Sequence, residues 1–218
     1  MGCAGSKAIR IKPTPADTTI SVKRKAPASE GKNGKEFPVI AESHNETADE
    51  NGPMTVEGDA GNLVKEQITS VQETWTLVKE AQDLEHVGVD FYLRLFTDSP
   101  ELLPLFSFRD IDLSNETARS DKRLTRQALA TMQHVDLAVS SLNDLGSIVP
   151  ALKDLGARHV MYNVKDHHYE SVGAALLETL QNGLGERFTT EVREAWTKVY
   201  GIVANTMKAG AREVLDAQ

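Results

Sequence analysis

The sequence predicts an all-α domain over residues 63–218, preceded by a disordered extension over residues 1–62. Three observations carry that reading. From Leu63 onward apolar residues return at intervals of three and four, the period of helix faces rather than of strands. Five of the eight prolines and seven of the fifteen glycines fall in the first 62 residues, where few large apolar side chains exist to bury. No strand-like alternation, internal repeat or glycine-rich phosphate loop appears along the chain.

The elements follow in order. Ile68, Val71, Trp75 and Val78 define a first helical stripe, and Val87, Phe91 and Leu95 a second. Pro100 and Pro104 then interrupt the pattern, because proline lacks the N–H that a helix interior needs. Leu124, Ala128, Thr131, Val135, Ala138 and Leu142 mark a long helix that ends around residues 143–146. Pro150 suits the first turn of the next helix, where its missing donor is no loss, and that helix shows Ile148, Leu152, Leu155 and His159 along one side. Two longer helices close the chain, one on Val172, Leu176, Leu177 and Leu180, the other on Val192, Trp196, Val199, Val203 and Met207. Trp75 and Trp196 read as core.

Composition narrows the function classes. The 218 residues carry 24 basic and 32 acidic side chains, and the acidic balance argues against a nucleic-acid partner, which needs a basic face. No apolar run approaches the roughly 18–20 residues of a spanning helix. A single cysteine excludes an internal disulfide and any cysteine-based zinc or iron–sulfur cage, and fits a reducing, cytosolic compartment. The charge of the extension is sorted along its length. Residues 1–35 hold eight Lys or Arg against two acids, whereas residues 36–62 hold seven acids and no Lys or Arg, so a basic arm precedes an acidic spacer.

The opening Met1-Gly2-Cys3-Ala4-Gly5-Ser6 matches the N-myristoylation pattern, in which Gly2 becomes the acceptor amine once Met1 is removed. Cys3, the lone thiol, stands where a second acyl chain is commonly added as a thioester. One myristoyl chain holds a protein only marginally, with an association constant on the order of 10⁴ per molar, while two chains or one chain plus a basic patch hold it firmly. Each basic residue near an anionic leaflet adds roughly 1 kcal/mol. Gly2, Cys3 and the basic arm therefore predict a peripheral, lipid-anchored protein on the cytoplasmic face of the plasma membrane.

His159 lies on the inward stripe of its helix, four residues after Leu155 and seven after Leu152. By spacing alone it is either a hydrogen-bonded core histidine or a ligand. The His167-His168 pair, beside Lys165 and Asp166, reads as a solvated helix start.

The helical part from about Leu63 to about Ala211 resembles the globin family. Leu93-Arg94-Leu95-Phe96, followed by Pro100-Glu101-Leu102-Leu103-Pro104-Leu105-Phe106, resembles the passage from the second to the third globin helix. Leu155-Gly156-Ala157-Arg158-His159 resembles the proximal segment, Asp136-Leu137-Ala138-Val139 the long middle helix, and Ala195-Trp196 with Val199-Tyr200-Gly201 the last helix of neuroglobin-like members. With the acylation pattern added, the sequence is most similar to the membrane-bound globin X group, and next to neuroglobin. The resemblance implies a three-over-three helical sandwich around one haem b, iron protoporphyrin IX. It makes His159 the proximal iron ligand, Phe106 a ring that stacks on the haem, and Val164 a proximal packing residue. There is no Cys-x-x-Cys-His, so the haem would be held without covalent links.

The same resemblance places Gln127 at the distal position, where these relatives usually carry a histidine that binds iron directly. An amide is a poor iron ligand but can donate a hydrogen bond to a bound gas. Tyr92 falls where a second-helix side chain faces that gas, and Thr131, one turn after Gln127, replaces the usual apolar residue. Tyr with Gln resembles the distal side of flavohaemoglobins. The function implied is binding of O2, CO and NO together with iron redox chemistry near the bilayer: electron exchange, reduction of nitrite or dioxygenation of NO. Turnover would need an external reductase, since no flavin or nicotinamide fingerprint is present. A haem-based oxygen or redox sensor without turnover is the alternative.

Overall fold

The computed structural model describes residues 63–217, so the readings on Gly2, Cys3, the basic arm and the acidic spacer lie outside the described residues. Six α-helices make up the domain: α1 (Lys65–Ala81), α2 (Leu84–Asp98), α3 (Lys122–Ser140), α4 (Val149–Met161), α5 (His168–Leu184) and α6 (Thr190–Asp216). Short 3₁₀ turns occupy Pro100–Leu105, Glu116–Ser120, Leu145–Ile148 and Gly185–Arg187, and there is no strand among the described residues. Helix starts follow from local side chains. The Asp83 carboxylate accepts from the His86 amide, that of Asp121 from the Arg123 and Leu124 amides, and the Thr189 hydroxyl from the Val192 amide. Pro150 sits in the first turn of α4, as its spacing predicts.

Two boundaries differ from expectation. Helix α3 ends at Ser140 rather than at residues 143–146, because the Ser141 and Leu142 amides turn back to the carbonyls of Ala138 and Val139 in a tighter, 3₁₀-like winding. Leu142 stays buried although it has left the helix, and Ile148 belongs to the 3₁₀ turn before α4 rather than to α4 itself.

Helices α1, α3 and α4 form one layer and α2, α5 and α6 the other, with α4 against α6, α3 against α2, and α1 against α5 and α6. This is the three-over-three sandwich. Between the layers Val71, Trp75, Leu95, Phe96, Leu124, Met132, Leu180 and Trp196 are fully buried. The two tryptophan rings meet edge to face at 5.9 Å, and both indole N–H groups are satisfied, Trp75 by Asp136 at 2.7 Å and Trp196 by Thr74 at 3.0 Å.

Two local features place the side chains that matter. Gly88 lets α2 approach the α3 backbone, since a Cβ there would lie 2.9 Å from the Cα of Ala128. That contact brings Tyr92, one turn along α2, beside Gln127. At the end of α4, Asn163 takes a left-handed conformation with φ 60°. The Val164 amide then donates to the His159 carbonyl at 3.1 Å and the Asn163 amide to Val160 at 3.0 Å, a Schellman ending that folds Val164 back beneath the last turn.

Candidate functional site

A cavity of about 240 Å³ opens between α3 and α4. Its walls are mostly apolar, from residues such as Leu102, Val135, Leu155, Val172 and Leu176. All six side chains that the sequence assigned to this site, Tyr92, Phe106, Gln127, Thr131, His159 and Val164, line it together.

On the α4 side stands His159, half-buried. Its Nδ1 lies 2.7 Å from the Leu155 carbonyl, and a carbonyl only accepts, so Nδ1 carries the proton and Nε2 keeps its lone pair. Burial pushes the imidazole below the usual histidine range; the Leu155 hydrogen bond opposes that shift, and the nearby His134 adds to it. The ring is therefore neutral at pH 7, and an imidazole whose other nitrogen donates to a backbone carbonyl is oriented for metal ligation. Val164, Leu152 and Leu155 pack together beside it with Tyr169 and Met207.

The opposite wall carries a hydrogen-bonded set. Gln127 donates through Nε2 to the Tyr92 hydroxyl at 3.1 Å and to the Thr131 hydroxyl at 3.4 Å, and the two hydroxyls are 2.8 Å apart. Burial raises the Tyr92 pKa, so the phenol stays protonated and remains a donor. In this arrangement the three polar groups are hydrogen-bonded to one another. An incoming acceptor would draw the Tyr92 or Gln127 hydrogen away from its partner.

Phe106 borders the same space at the end of the Pro100–Leu105 turn, half-buried and packed edge to face on Tyr92 at 5.4 Å and on Phe96 at 5.1 Å. Phe108, which the sequence reading passed over, is buried and stacks on Phe106 at 5.2 Å. It lies outside any helix, where periodicity gives no signal.

Three further cavity residues were missed or misassigned. The His167-His168 pair does start α5, and His167 is exposed as read, but His168 is half-buried and lines the cavity, with Nδ1 accepting the Lys165 amide at 3.1 Å. The reason is that α5 begins at His168, which puts it one turn before Val172 on the inward face. Tyr169 extends the Val172, Leu176 stripe by one turn and could have been found from it. Its hydroxyl is buried and has no hydrogen-bond partner among the described residues. His134, two turns past Gln127 on α3, also reaches the cavity and bonds through Nδ1 to the Ala130 carbonyl at 2.7 Å.

Among the described residues no group of three or more His, Cys, Asp or Glu side chains gathers to hold a bare metal ion. A cavity with apolar walls, an aromatic edge and one neutral, oriented imidazole instead suits a metal that brings its other ligands with it. A haem does so through its porphyrin nitrogens, and the buried, unpartnered Tyr169 hydroxyl adds a donor for a guest with polar edges. The residues present fit that group.

Comparison with known proteins agrees. The globin family model matches residues 89–207, more than half of the chain. Neuroglobins of Dissostichus mawsoni and Tetraodon nigroviridis are each 36% identical over 123 residues, covering 56% of this chain and 77% of theirs. The flavohemoprotein of Bacillus subtilis (strain 168) is 36% identical over 115 residues, which span 53% of this chain and 26% of that protein. In structure the domain is similar to the hexacoordinated heme protein from an anhydrobiotic tardigrade, crystallised at pH 4, with a TM-score of 0.60 and 21% identity over 69% of this chain and 96% of that one. The chain belongs to the globin family. Membership carries a haem cofactor and the binding of gases such as O2.

Proposed function

We propose that the cavity holds one haem b with His159 Nε2 as the proximal ligand, and that the chain binds diatomic gases and exchanges electrons close to a membrane. The observation that supports this reading best is the facing pair of walls: a neutral imidazole on α4 and the Tyr92, Gln127, Thr131 set on α3 and α2. The haem supplies reversible gas binding and one-electron redox chemistry.

The chain's own residues set access and polarity. The Leu155 carbonyl holds the imidazole tautomer and orientation, and Val164 and Leu155 exclude water around it. Phe106, braced by Phe96 and Phe108, would pack its ring against the porphyrin. The Gln127 amide is a poor iron ligand, so it would not compete with a gas for the metal, and Tyr92 and Gln127 would be the hydrogen-bond donors to a polar guest. When Tyr92 turns its hydrogen to a guest, the Thr131 hydroxyl can donate to the Tyr92 oxygen instead.

The membrane part of the proposal rests on the sequence. Gly2 and Cys3 as acylation sites, with the basic arm behind them, would keep the globin domain at the cytoplasmic face of the plasma membrane, as in globin X. No helix among the described residues is long and apolar enough to cross a bilayer. A tethered globin is poorly suited to carriage, which needs diffusion with the cargo. It suits electron exchange, nitrite reduction or NO dioxygenation fed by an external reductase. The test is to supply the haem-loaded protein with a reductase system and NO or nitrite. Sustained consumption supports the redox reading, and gas binding without turnover would leave a sensor.

A further inference from the structure

Helices α4 and α6 approach one another through two glycines in a reciprocal contact. A Cβ at Gly156 would lie 2.7 Å from the Cα of Met207 and nearer still to that residue's carbonyl. A Cβ at Gly210 would lie 2.5 Å from the Cα of Lys153, and again nearer to the carbonyl. Carbon atoms pack at about 3.5–4.0 Å, so neither position admits a larger residue unless the helices part by about 1 Å. Lys153 to Gly156 runs three residues forward along α4, and its counterparts Gly210 to Met207 run three residues back along α6. The helices are therefore antiparallel here, each giving one glycine and receiving the other's backbone. Both glycines are buried, and the Lys153 to Glu213 ion pair at 2.6 Å closes the same seam at its exposed rim. Close packing is not a general property of the helical glycines, since Gly183 in α5 and Gly201 in α6 have nothing within 4 Å of an added Cβ.

We infer that Gly156 and Gly210 are positioning residues for His159: their clasp sets how far α4 stands from α6, and with it the placement of the imidazole in the cavity. Glycine is a poor helix former, so a helix interior that carries it at a backbone contact gives up local stability for closeness. His159 follows Gly156 by one turn, and Met207, the residue that Gly156 touches, lines the cavity itself. A close-packed interior passes such a displacement on rather than absorbing it. The Schellman ending at His159 fixes the other end of the turn. This inference rests on His159 being the haem ligand.

The test uses the full chain loaded with haem. In Gly156→Ala and Gly210→Ala the iron–imidazole stretching band of the ferrous protein should shift, and haem should pass to an excess of competing apoglobin at least about tenfold faster, the scale on which the supports of metal ligands act. Gly183→Ala and Gly201→Ala should match the wild type in both. In a His159→Gly background ligated by free imidazole the ligand is no longer attached to α4, so adding Gly156→Ala should leave the band where it is. A wild-type band and haem-loss rate in both clasp variants would overturn the inference. So would failure of both to fold while the controls fold, because the glycines would then serve folding rather than ligand placement. If instead the wild type takes up haem but His159→Ala keeps its band, the ligand assignment itself has failed.

Discussion

Tyr92→Phe removes one hydroxyl from the cavity and leaves the ring. The ring should stay in place, because its contacts with Phe91 at 4.9 Å, Phe96 at 5.6 Å and Phe106 at 5.4 Å do not involve the oxygen. What is lost is a neutral donor 2.8 Å from Thr131 and 3.1 Å from Gln127. A net hydrogen bond to a bound gas is worth about 0.5–1.5 kcal/mol, so O2 should dissociate roughly 2- to 13-fold faster. The association rate should change little, since no atom is added to the path. CO accepts hydrogen bonds less well than O2, and its dissociation should change less. The haem-free protein provides a second reading: Gln127 keeps Thr131 at 3.4 Å but loses its better acceptor, which should lower stability by about 1 kcal/mol in urea unfolding. Stopped-flow replacement of O2 by CO measures the first effect. An unchanged O2 dissociation rate with an intact spectrum would mean that the Tyr92 hydroxyl does not reach the gas. Equal changes for O2 and CO would point to packing instead.

Further outcomes follow from the same geometry. Gln127→His should convert the ferrous spectrum from five-coordinate to low-spin six-coordinate and limit CO binding at saturation to the rate of histidine release, because the gas then needs the minor open state. Gly2→Ala should move the protein to the soluble fraction of cells and Cys3→Ser should weaken its retention, both with an unchanged haem spectrum; a Gly2→Ala protein still wholly membrane-bound would remove the acylation proposal. On acidification the buried His159 acts first and the carboxylates at lower pH. Hydrogen bonds from Arg123 hold Asp121 below its usual value of 3.8. At Asp136 burial raises the pKa, but bonds from Lys79 and Trp75 outweigh it and the net shift is downward. A carboxylate depressed on folding contributes stability that is complete above its unfolded pKa and is lost as pH falls through the folded one. Urea midpoints of the haem-free domain should thus begin to fall below about pH 6.5, where unfolding lets the buried His159 imidazole take up a proton, and fall further below about pH 4 as the carboxylates protonate, with that lower step shallower in Asp136→Asn.

The helices were legible because their stripes are strong. Val71, Trp75, Leu124, Ala128 and Trp196 repeat at helical spacing, and each is buried where the spacing placed it. The end of α3 was less so, since Leu142 is buried whether or not the helix continues and burial alone cannot mark a boundary. Site residues could be counted from the globin motifs, four on helices and Phe106 and Val164 just beyond helical turns, and all six meet in one cavity. The remainder depended on how helices are phased and how closely they approach. His168 faces inward only because α5 begins there, Phe108 has no periodic neighbour, and the closeness of α4 and α6 at Gly156 and Gly210 needs both backbones in view. His134 lies seven residues past Gln127, two turns further along α3. The cavity is long enough to include it.

The claim that His159 holds the haem iron is tested most directly by titrating haem into the haem-free full chain and into His159→Ala, recording ferric, ferrous and CO-bound spectra. The wild type should saturate at one haem per chain with a sharp Soret band, a five-coordinate ferrous form and a histidine-ligated CO complex. His159→Ala should lose that band or bind haem far more weakly, since His134 and His168 stand on other helices. A variant that binds haem with the same stoichiometry and the same three spectra would contradict the assignment and place the iron on another residue.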